Sequence, residues 1–509
     1  MTLDFTSQLD YVWATLPEII LCCWGILVLL MGVSGKRDPS SGGDAASELP
    51  SHDLGYLTLG GLLAAAMANG WLYGVTEVGS VGLVVVDEFR LFANWIFLIA
   101  AGFAVLMSFA YVYRQRLQAG EFYALILFAT AGMMFMAGAR DLIVVFLGLE
   151  VMSISAYALT AFNRRDRRSA EAGLKYFILG AFSTGFFLYG LALVYGATGS
   201  TNIETVGAAV STGAAQPTLI LFGIAMLAVA FAFKVGVVPF HMWAPDVYEG
   251  APTPVSAFMA VAVKAAAFVA FFRVFLVGFV GAYAAWYPIV WWLAGITMVV
   301  ANVLALAQFN VKRMLAYSSI AHAGYLMVAL AAANDRASAG MLFYLLVYAI
   351  MNMGAFAVVV IVGRQGEESL ELDDYAGLGA SNPLLAVFLT IFLLALAGFP
   401  GTAGFMGKIF LLQGAADSRL WVLSIVLVLM TVVSYYYYLR LAWYVWMRDP
   451  REGAPTRELF VPLPMRFALA AGAAAIILLG VFPAGAMEFA QSSVAAVSAF
   501  PEALTSLIP

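Results

Sequence analysis

Apolar runs of about twenty residues recur along the entire chain, and that recurrence leaves few folds open. They fall at roughly 17–34, 54–76, 91–113, 120–138, 141–162, 172–197, 217–239, 254–278, 284–309, 314–333, 338–362, 383–413, 419–447 and 465–488. A run of that length crosses a bilayer as a helix, because in lipid the backbone must satisfy its own hydrogen bonds. Only 11% of the 509 residues are charged and the mean hydropathy is +0.93, whereas soluble domains carry about 25% charged residues. The sequence therefore predicts an all-α polytopic membrane protein of about fourteen transmembrane helices. The net charge of −5 and the lack of a strongly basic stretch point away from nucleic acid, leaving the lipid bilayer as the surroundings.

Sixteen of the 25 lysines and arginines fall in the loops after the odd-numbered spans, against four on the other side: Arg90, Arg140, Arg336 and Arg419. Lysine and arginine accumulate in cytoplasmic loops, so both termini are expected to face outward. The densest cluster, NRRDRRSAEAGLK at 163–175, reads as the topological anchor of that rule. The first sixteen residues are acidic and carry no lysine or arginine, which predicts a retained first span and no secretory signal. Cys22 and Cys23 are adjacent, with no histidine cluster, a pattern that supplies neither a disulfide framework nor a metal site. With no P-loop and no GxGxxG unit either, the chain is expected to bind no nucleotide and no redox centre.

The remaining five cations, Lys234, Lys264, Arg273, Lys408 and Arg440, lie inside spans. A charge at bilayer depth costs at least ~2.5–3.5 kcal/mol on insertion scales, so it generally faces protein or water and has a task. Lys234 is followed by Pro239, which donates no N–H and is expected to interrupt span 7, offering the ammonium freed carbonyls. Lys408 lies in LALAGFPGTAGFMGKIF, where Gly398, Pro400, Gly401, Gly404 and Gly407 break up span 12. Two broken spans, five apart, point to inverted repeats built from spans 4–8 and 9–13. The chain then divides into a three-helix segment (1–119), two five-helix repeats (120–278 and 279–447), and a C-terminal loop with the last helix (448–509). Glu150 in span 5 needs a buried cation, and Lys234 is its expected partner; such a pair couples the proton affinities of its members. Arg273 and Arg440 lie late in their spans and are expected to snorkel to the interface. Most of Tyr435, Tyr436, Tyr437 and Tyr438 are expected at the lipid interface.

The turn PFHMWAPDVYEGAPTPVSAF with its flanking lysines resembles the antiporter-like membrane subunits of respiratory complex I, and among them subunit N. So do EAGLKYFILGAFSTGFFLYGLALVYG at 171–196, KRMLAYSSIAHAGY at 312–325 and LAGFPGTAGFMGKIFL at 396–411. Lys408 separates the chain from the related subunit M, which usually has a glutamate there, and PVSAFMAVAVKAAAF also favours N. The resemblance implies a proton-translocating membrane-arm subunit of an NADH:quinone oxidoreductase in a bacterial inner membrane, packed against other antiporter-like and small membrane subunits. It implies that NADH, FMN, iron–sulfur clusters and quinone are used in other subunits, so this chain is a non-redox part of a translocase. It further implies the Glu150–Lys234 pair and a proton line through Glu150, Lys234, Lys264 and Lys408.

His322, in AYSSIAHAGYL, is the intermediate read into that line, because a neutral imidazole both donates and accepts; a hydrogen-bonded core histidine is the other reading. His241, at the mouth of span 7, either caps the break or takes part in transfer. Asp246 and Glu249 flank the turn between spans 7 and 8 and are expected to hold it; guiding proton entry is the other reading, with Asp246 as the candidate for transfer. Two other functions stay open: a subunit of a Na⁺/H⁺ antiporter or hydrogenase-type complex, and a structural spacer that would tolerate neutral residues at all three lysines.

Overall fold

The computed structural model describes residues 1–34, 51–78, 82–363, 370–449, 459 and 461–495; the rest of the expected C-terminal segment lies outside them. Its framework is helical: α1 (Leu16–Ser34), α2 (Ser51–Leu72), α3 (Glu88–Gln115), α4 (Ala119–Ala137), α5 (Leu142–Thr160), α6 (Arg167–Thr198), α7 (Pro217–Val235), α8 (Trp243–Gly250) and α9 (Thr253–Gly278). There follow α10 (Tyr283–Leu306), α11 (Val311–Ala332), α12 (Asp335–Val362), α13 (Pro383–Ala397), α14 (Ala403–Asp417), α15 (Trp421–Met447), α16 (Leu463–Val481) and α17 (Ala484–Ala495). Among the described residues, twelve helices are long and apolar enough to cross a membrane. The two other expected segments are helical as well: α2, diluted by His52, Asp53 and Asn69, and the twelfth, split into α13 and α14 of 15 residues each.

Short polar residues start many of these helices by accepting a bond from an otherwise unpaired amide of the first turn. Asp87 accepts from Arg90, Asp141 from Ile143, Asn310 from Arg313 and Asn334 from Ala337. Both breaks, one at the end of span 7 and one in the middle of span 12, are made by glycine. Helix α7 stops at Gly236, whose φ of 74° is open to glycine at little cost, and the Val237 amide bonds back to the Ala232 carbonyl. The expected breaker, Pro239, lies three residues further on, in the loop after a cis Val238–Pro239 bond, so the helix has already ended when the chain reaches it. Helix α13 stops in the same way at Gly398, with φ 82°, and Phe399 bonds back to Leu394.

Helices in lipid gain little from hydrophobic sorting and rely on close van der Waals packing, which small residues permit. Gly132 of α4 and Gly148 of α5 meet backbone to backbone; a Cβ on either would lie 2.8 Å from the other's carbonyl oxygen. Helix α4 packs on α5 as α10 packs on α11, and α6 packs on both α7 and α8 as α12 packs on both α13 and α14. Helices α9, α11 and α12 are enclosed most completely, with 94% of their apolar windows buried, against 28% for α6, α15 and α16. At one end, Thr2–Leu3 (β1) pairs in parallel with Thr76–Glu77 (β2), and Phe489 of α17 packs on Phe92 and Tyr73. The described ends of the chain therefore lie with the loop after α2 and the start of α3.

Candidate functional site

Lys234, Lys264, His322 and Lys408 are 2%, 3%, 1% and 4% exposed, all within the helical interior. Lys264 stands in the middle of α9, just after a π-helical stretch at Met259–Val263. Its ammonium donates to the Ser319 hydroxyl at 2.5 Å and to the Ser319 carbonyl at 2.7 Å. Ser319 belongs to α11 and precedes His322 by three residues, close to one turn, so both lie on the same face.

His322 is held at both nitrogens. Nδ1 bonds the Tyr344 hydroxyl of α12 at 2.5 Å, and Nε2 bonds the Tyr438 hydroxyl of α15 at 3.1 Å. Tyr438 in turn bonds Ser318, and Tyr437 donates to Asn302 at 3.0 Å. Asn302 donates to Tyr325, three residues beyond His322 on α11, and the Lys408 ammonium lies 5.1 Å from the centroid of the Tyr325 ring. Contacts thus run from Lys264 along one face of α11, past His322, to Lys408.

Lys408 closes the break between α13 and α14. Its ammonium donates to the carbonyls of Ala397 at 2.9 Å and Leu396 at 3.4 Å, the last residues of α13, while Tyr435 donates to Gly398 at 3.0 Å. A cation at a helix C-terminus satisfies open carbonyls and the partial negative charge there. The meeting of an ammonium with freed carbonyls, expected at Lys234, is therefore found at Lys408. The close approach of the two half-helices depends on Gly404, where a Cβ would overlap the Ala395 carbonyl.

Lys234 has a different environment. Its ammonium donates to the Tyr157 hydroxyl at 3.3 Å and lies 5.2 and 5.4 Å from the centroids of the Tyr157 and Tyr176 rings. Such rings stabilise a desolvated cation through their quadrupoles. Tyr176 stacks on Trp243 at 4.6 Å, and the Trp243 indole donates to the Phe233 carbonyl, closing the end of α7. The expected Glu150–Lys234 ion pair is not made. Glu150 is half-buried and accepts from Thr184 of α6 at 2.7 Å, while Tyr157, two turns along α5, occupies the place beside the ammonium.

Asp246 and Glu249 hold the segment between spans 7 and 8, through ion pairs to other helices. They project from α8 and clasp it to two other helices, Asp246 bridging Lys175 of α6 (3.0 Å) and Arg313 of α11 (2.9 Å), and Glu249 meeting the same arginine at 2.7 Å. Burial raises the Asp246 carboxyl, but Lys175 and Arg313 outweigh it and hold the group below its ordinary value. His241, between α7 and α8, is half-buried, with Nδ1 unpaired; burial pulls its imidazole below the ordinary value, only partly offset by a backbone bond at Pro239. It is not joined to the α11 contacts.

Two expectations about the cations and tyrosines are corrected. Arg273 does not snorkel: it is 6% exposed and forms a two-pronged ion pair with Asp87, at 2.7 and 2.9 Å. Arg440 caps α10 through the carbonyls of Leu306 and Gln308. Tyr437 and Tyr438 are completely buried in the polar line, and only Tyr436 is exposed among the four. Their burial was hidden because consecutive residues point around a helix, and packing alone selects the inner ones. Ser319 and Tyr325 carried a readable signal, namely their spacing of three residues on either side of His322.

The transmembrane family described as NADH:quinone oxidoreductase/Mrp antiporter matches residues 139–434. The NADH-quinone oxidoreductase subunit N of Trichlorobacter lovleyi is 46% identical over 485 residues, covering 94% of this chain and 96% of that protein. A chain in a structure of respiratory complex I from Thermus thermophilus with bound aureothin superposes with a TM-score of 0.78 at 34% identity, over 93% of this chain and 98% of that one. A chain of the Mrp complex from a Dietzia species shares the fold, with a TM-score of 0.80 at 19% identity over 99% of this chain and all of that one. With that identity over nearly the whole length and the transmembrane match, the chain belongs to the subunit N family of NADH-quinone oxidoreductases.

Proposed function

We propose that this subunit moves protons through the membrane along a line of buried groups: Glu150, Lys234, Lys264, His322 and Lys408. As a family member it is an antiporter-like subunit of a translocase, and we assign quinone reduction to other subunits of the complex. The observation that carries the reading is the run of contacts along α11, one of the most enclosed helices, where Lys264–Ser319, His322–Tyr438 and Tyr325–Lys408 follow one another. A lysine ammonium carries three rotatable N–H donors and can pass a proton to a hydrogen-bonded neighbour or water and regain one from the next. Charge arriving from neighbouring subunits would bias that exchange from lysine to lysine.

The architecture we infer is fourteen crossings with both termini outside, and two inverted repeats of five spans each: α4–α9, with the short α8 in the connection, and α10–α15, with α13 and α14 as one broken span. The matching packing of α4 on α5 and α10 on α11, and the two glycine breaks beside lysines, support it. NADH, FMN, iron–sulfur clusters and quinone are assigned to other subunits, and the other membrane-arm subunits to the exposed apolar faces. Among the described residues no group of His, Cys, Asp and Glu could hold a metal ion. The test is the pumping of complexes carrying Lys234→Ala or Lys408→Ala in proteoliposomes: assembly with impaired pumping is expected, and wild-type pumping in both variants would sink the reading.

A further inference from the structure

Helix α12 is apolar along nearly its whole length, and the polar residues of its middle form one stripe: Tyr344, Tyr348 and Asn352. Residues four apart share a face, so the stripe points one way. All three side chains are buried, at 0%, 1% and 0% exposure. Tyr344 holds the His322 Nδ1, and the Tyr348 ring lies 5.0 Å from the imidazole centroid. Neither polar atom of Asn352 has a hydrogen-bond partner within the protein, and the Tyr348 hydroxyl, which interacts with the Ser319 side chain, makes no hydrogen bond of ordinary geometry.

Buried polar groups are hydrogen-bonded in the great majority of cases, and each orphan in a native structure calls for a reason. Helix cohesion does not supply one here, because an amide that bonds nothing ties no helices together, and leucine would pack with no polar group to desolvate. The position is more informative. Asn352 lies one turn beyond Tyr348, about 6 Å along the axis, toward the C-terminal end of α12, which is the cytoplasmic end in the orientation proposed above. Helix α12 packs against α9 and α11, the carriers of Lys264 and His322.

We propose that Tyr348 and Asn352 hold a water-mediated branch that carries protons between the cytoplasmic half of the subunit and the Lys264–Ser319–His322 cluster. The branch rests on the proton line proposed above and adds positioning residues that do not themselves titrate. A carboxamide donates through its NH₂ and accepts through its oxygen, and a phenol does both through one atom, so each can orient water on two sides. A proton arriving on one water leaves from the next, with no net charge left on either side chain.

The test uses the whole complex carrying Asn352→Leu, Asn352→Ser, Tyr348→Phe or Lys264→Ala, with assembly read on native gels and proton pumping per NADH oxidised read in proteoliposomes. Asn352→Leu and Tyr348→Phe are expected to assemble fully yet pump about tenfold more slowly, and Asn352→Ser, which keeps a donor and an acceptor, to recover much of the rate. A packing role would instead lower assembly and pumping together in Asn352→Leu and leave Tyr348→Phe unchanged. Should Asn352→Leu fail to assemble, Tyr348→Phe decides, because it keeps the ring on His322 and deletes only the hydroxyl. Impaired pumping in Lys264→Ala with wild-type pumping in Tyr348→Phe rejects the branch and leaves the lysine line standing. Wild-type pumping in Lys264→Ala rejects the line, and the branch with it.

Discussion

Lys264 spends two of its three N–H bonds on one residue, Ser319, reaching the hydroxyl at 2.5 Å and the carbonyl at 2.7 Å. The ammonium is thereby fixed against α11 one turn before His322. A backbone carbonyl accepts whatever side chain stands there, but the hydroxyl can be removed by itself, which makes the serine a clean probe of the lysine.

Ser319→Ala deletes one charge-assisted bond and leaves the other. Such bonds contribute about 1.5–3 kcal/mol, so pumping through this lysine is expected to slow by roughly 10- to 100-fold while the helices still pack. The initial rates of proton uptake and of NADH oxidation in proteoliposomes, together with their ratio, check it. Unchanged rates and an unchanged ratio would mean that the hydroxyl only fills space.

Tyr157 stands where the direct Glu150–Lys234 contact was expected, and it presents both a ring and a hydroxyl to the ammonium. Tyr157→Phe keeps the ring and removes the hydroxyl. If Glu150 acts on Lys234 through that hydroxyl, the effects of Glu150→Gln and Tyr157→Phe on pumping will not add; a coupling above about 0.5 kcal/mol in the double-mutant cycle is expected. Strict additivity would detach Glu150 from the route.

How much of this was legible in the sequence depended on the kind of interaction. Lys234, Lys264 and Lys408 stood out because a charge in an apolar run is costly wherever the run folds. The partners of those charges were harder to read. Asp87 and Arg273 are 186 positions apart, and no local pattern brings them together. Of four consecutive tyrosines, packing against α11 selects Tyr438 for His322, which no periodicity could choose. The break after Lys234 was placed at Pro239 by the rule that proline lacks a donor; Gly236, earlier in the chain and free to take a left-handed φ, had already ended the helix.

The Arg273–Asp87 pair joins α9 to the start of α3, with side chains 7% and 9% exposed. Removing one partner strands a buried charge, at a cost of about 3–5 kcal/mol, so Arg273→Ala is expected to reduce the amount of assembled complex. Arg273→Ala combined with Asp87→Asn should restore most of it, since asparagine still caps α3 without a charge. Native gels of membranes from the three strains decide; equal loss in single and double variants would assign the defect to lost packing of the arginine stem.

The clasp on α8 should respond to salt and to acid. Lys175, Asp246 and Arg313 are partly exposed, so each bond is weak and screened. Hydrogen exchange in residues 243–250 is expected to quicken in Asp246→Ala and in high salt. The carboxyl sits below its ordinary value in the folded protein, so its contribution is complete above the unfolded value of about 3.9 and is lost as pH falls through the lower folded one. Exchange that ignores both the substitution and salt would leave α8 held by its buried face alone.

Lys408 does two things that substitution can separate. It satisfies the open carbonyls of Leu396 and Ala397, and it carries an exchangeable proton. Lys408→Gln keeps N–H donors near the end of α13 and cannot titrate, whereas Lys408→Ala leaves the carbonyls bare in the interior, an expense of about 1–3 kcal/mol for each unpaired group. If the lysine serves mainly to close the break, glutamine should preserve assembly and pumping alike, and alanine should damage both. If it carries protons, glutamine should preserve assembly and abolish pumping. The second outcome is expected, because a neutral donor would suffice for capping, and the aromatic face of Tyr325 placed 5.1 Å from the ammonium favours a cation over an amide.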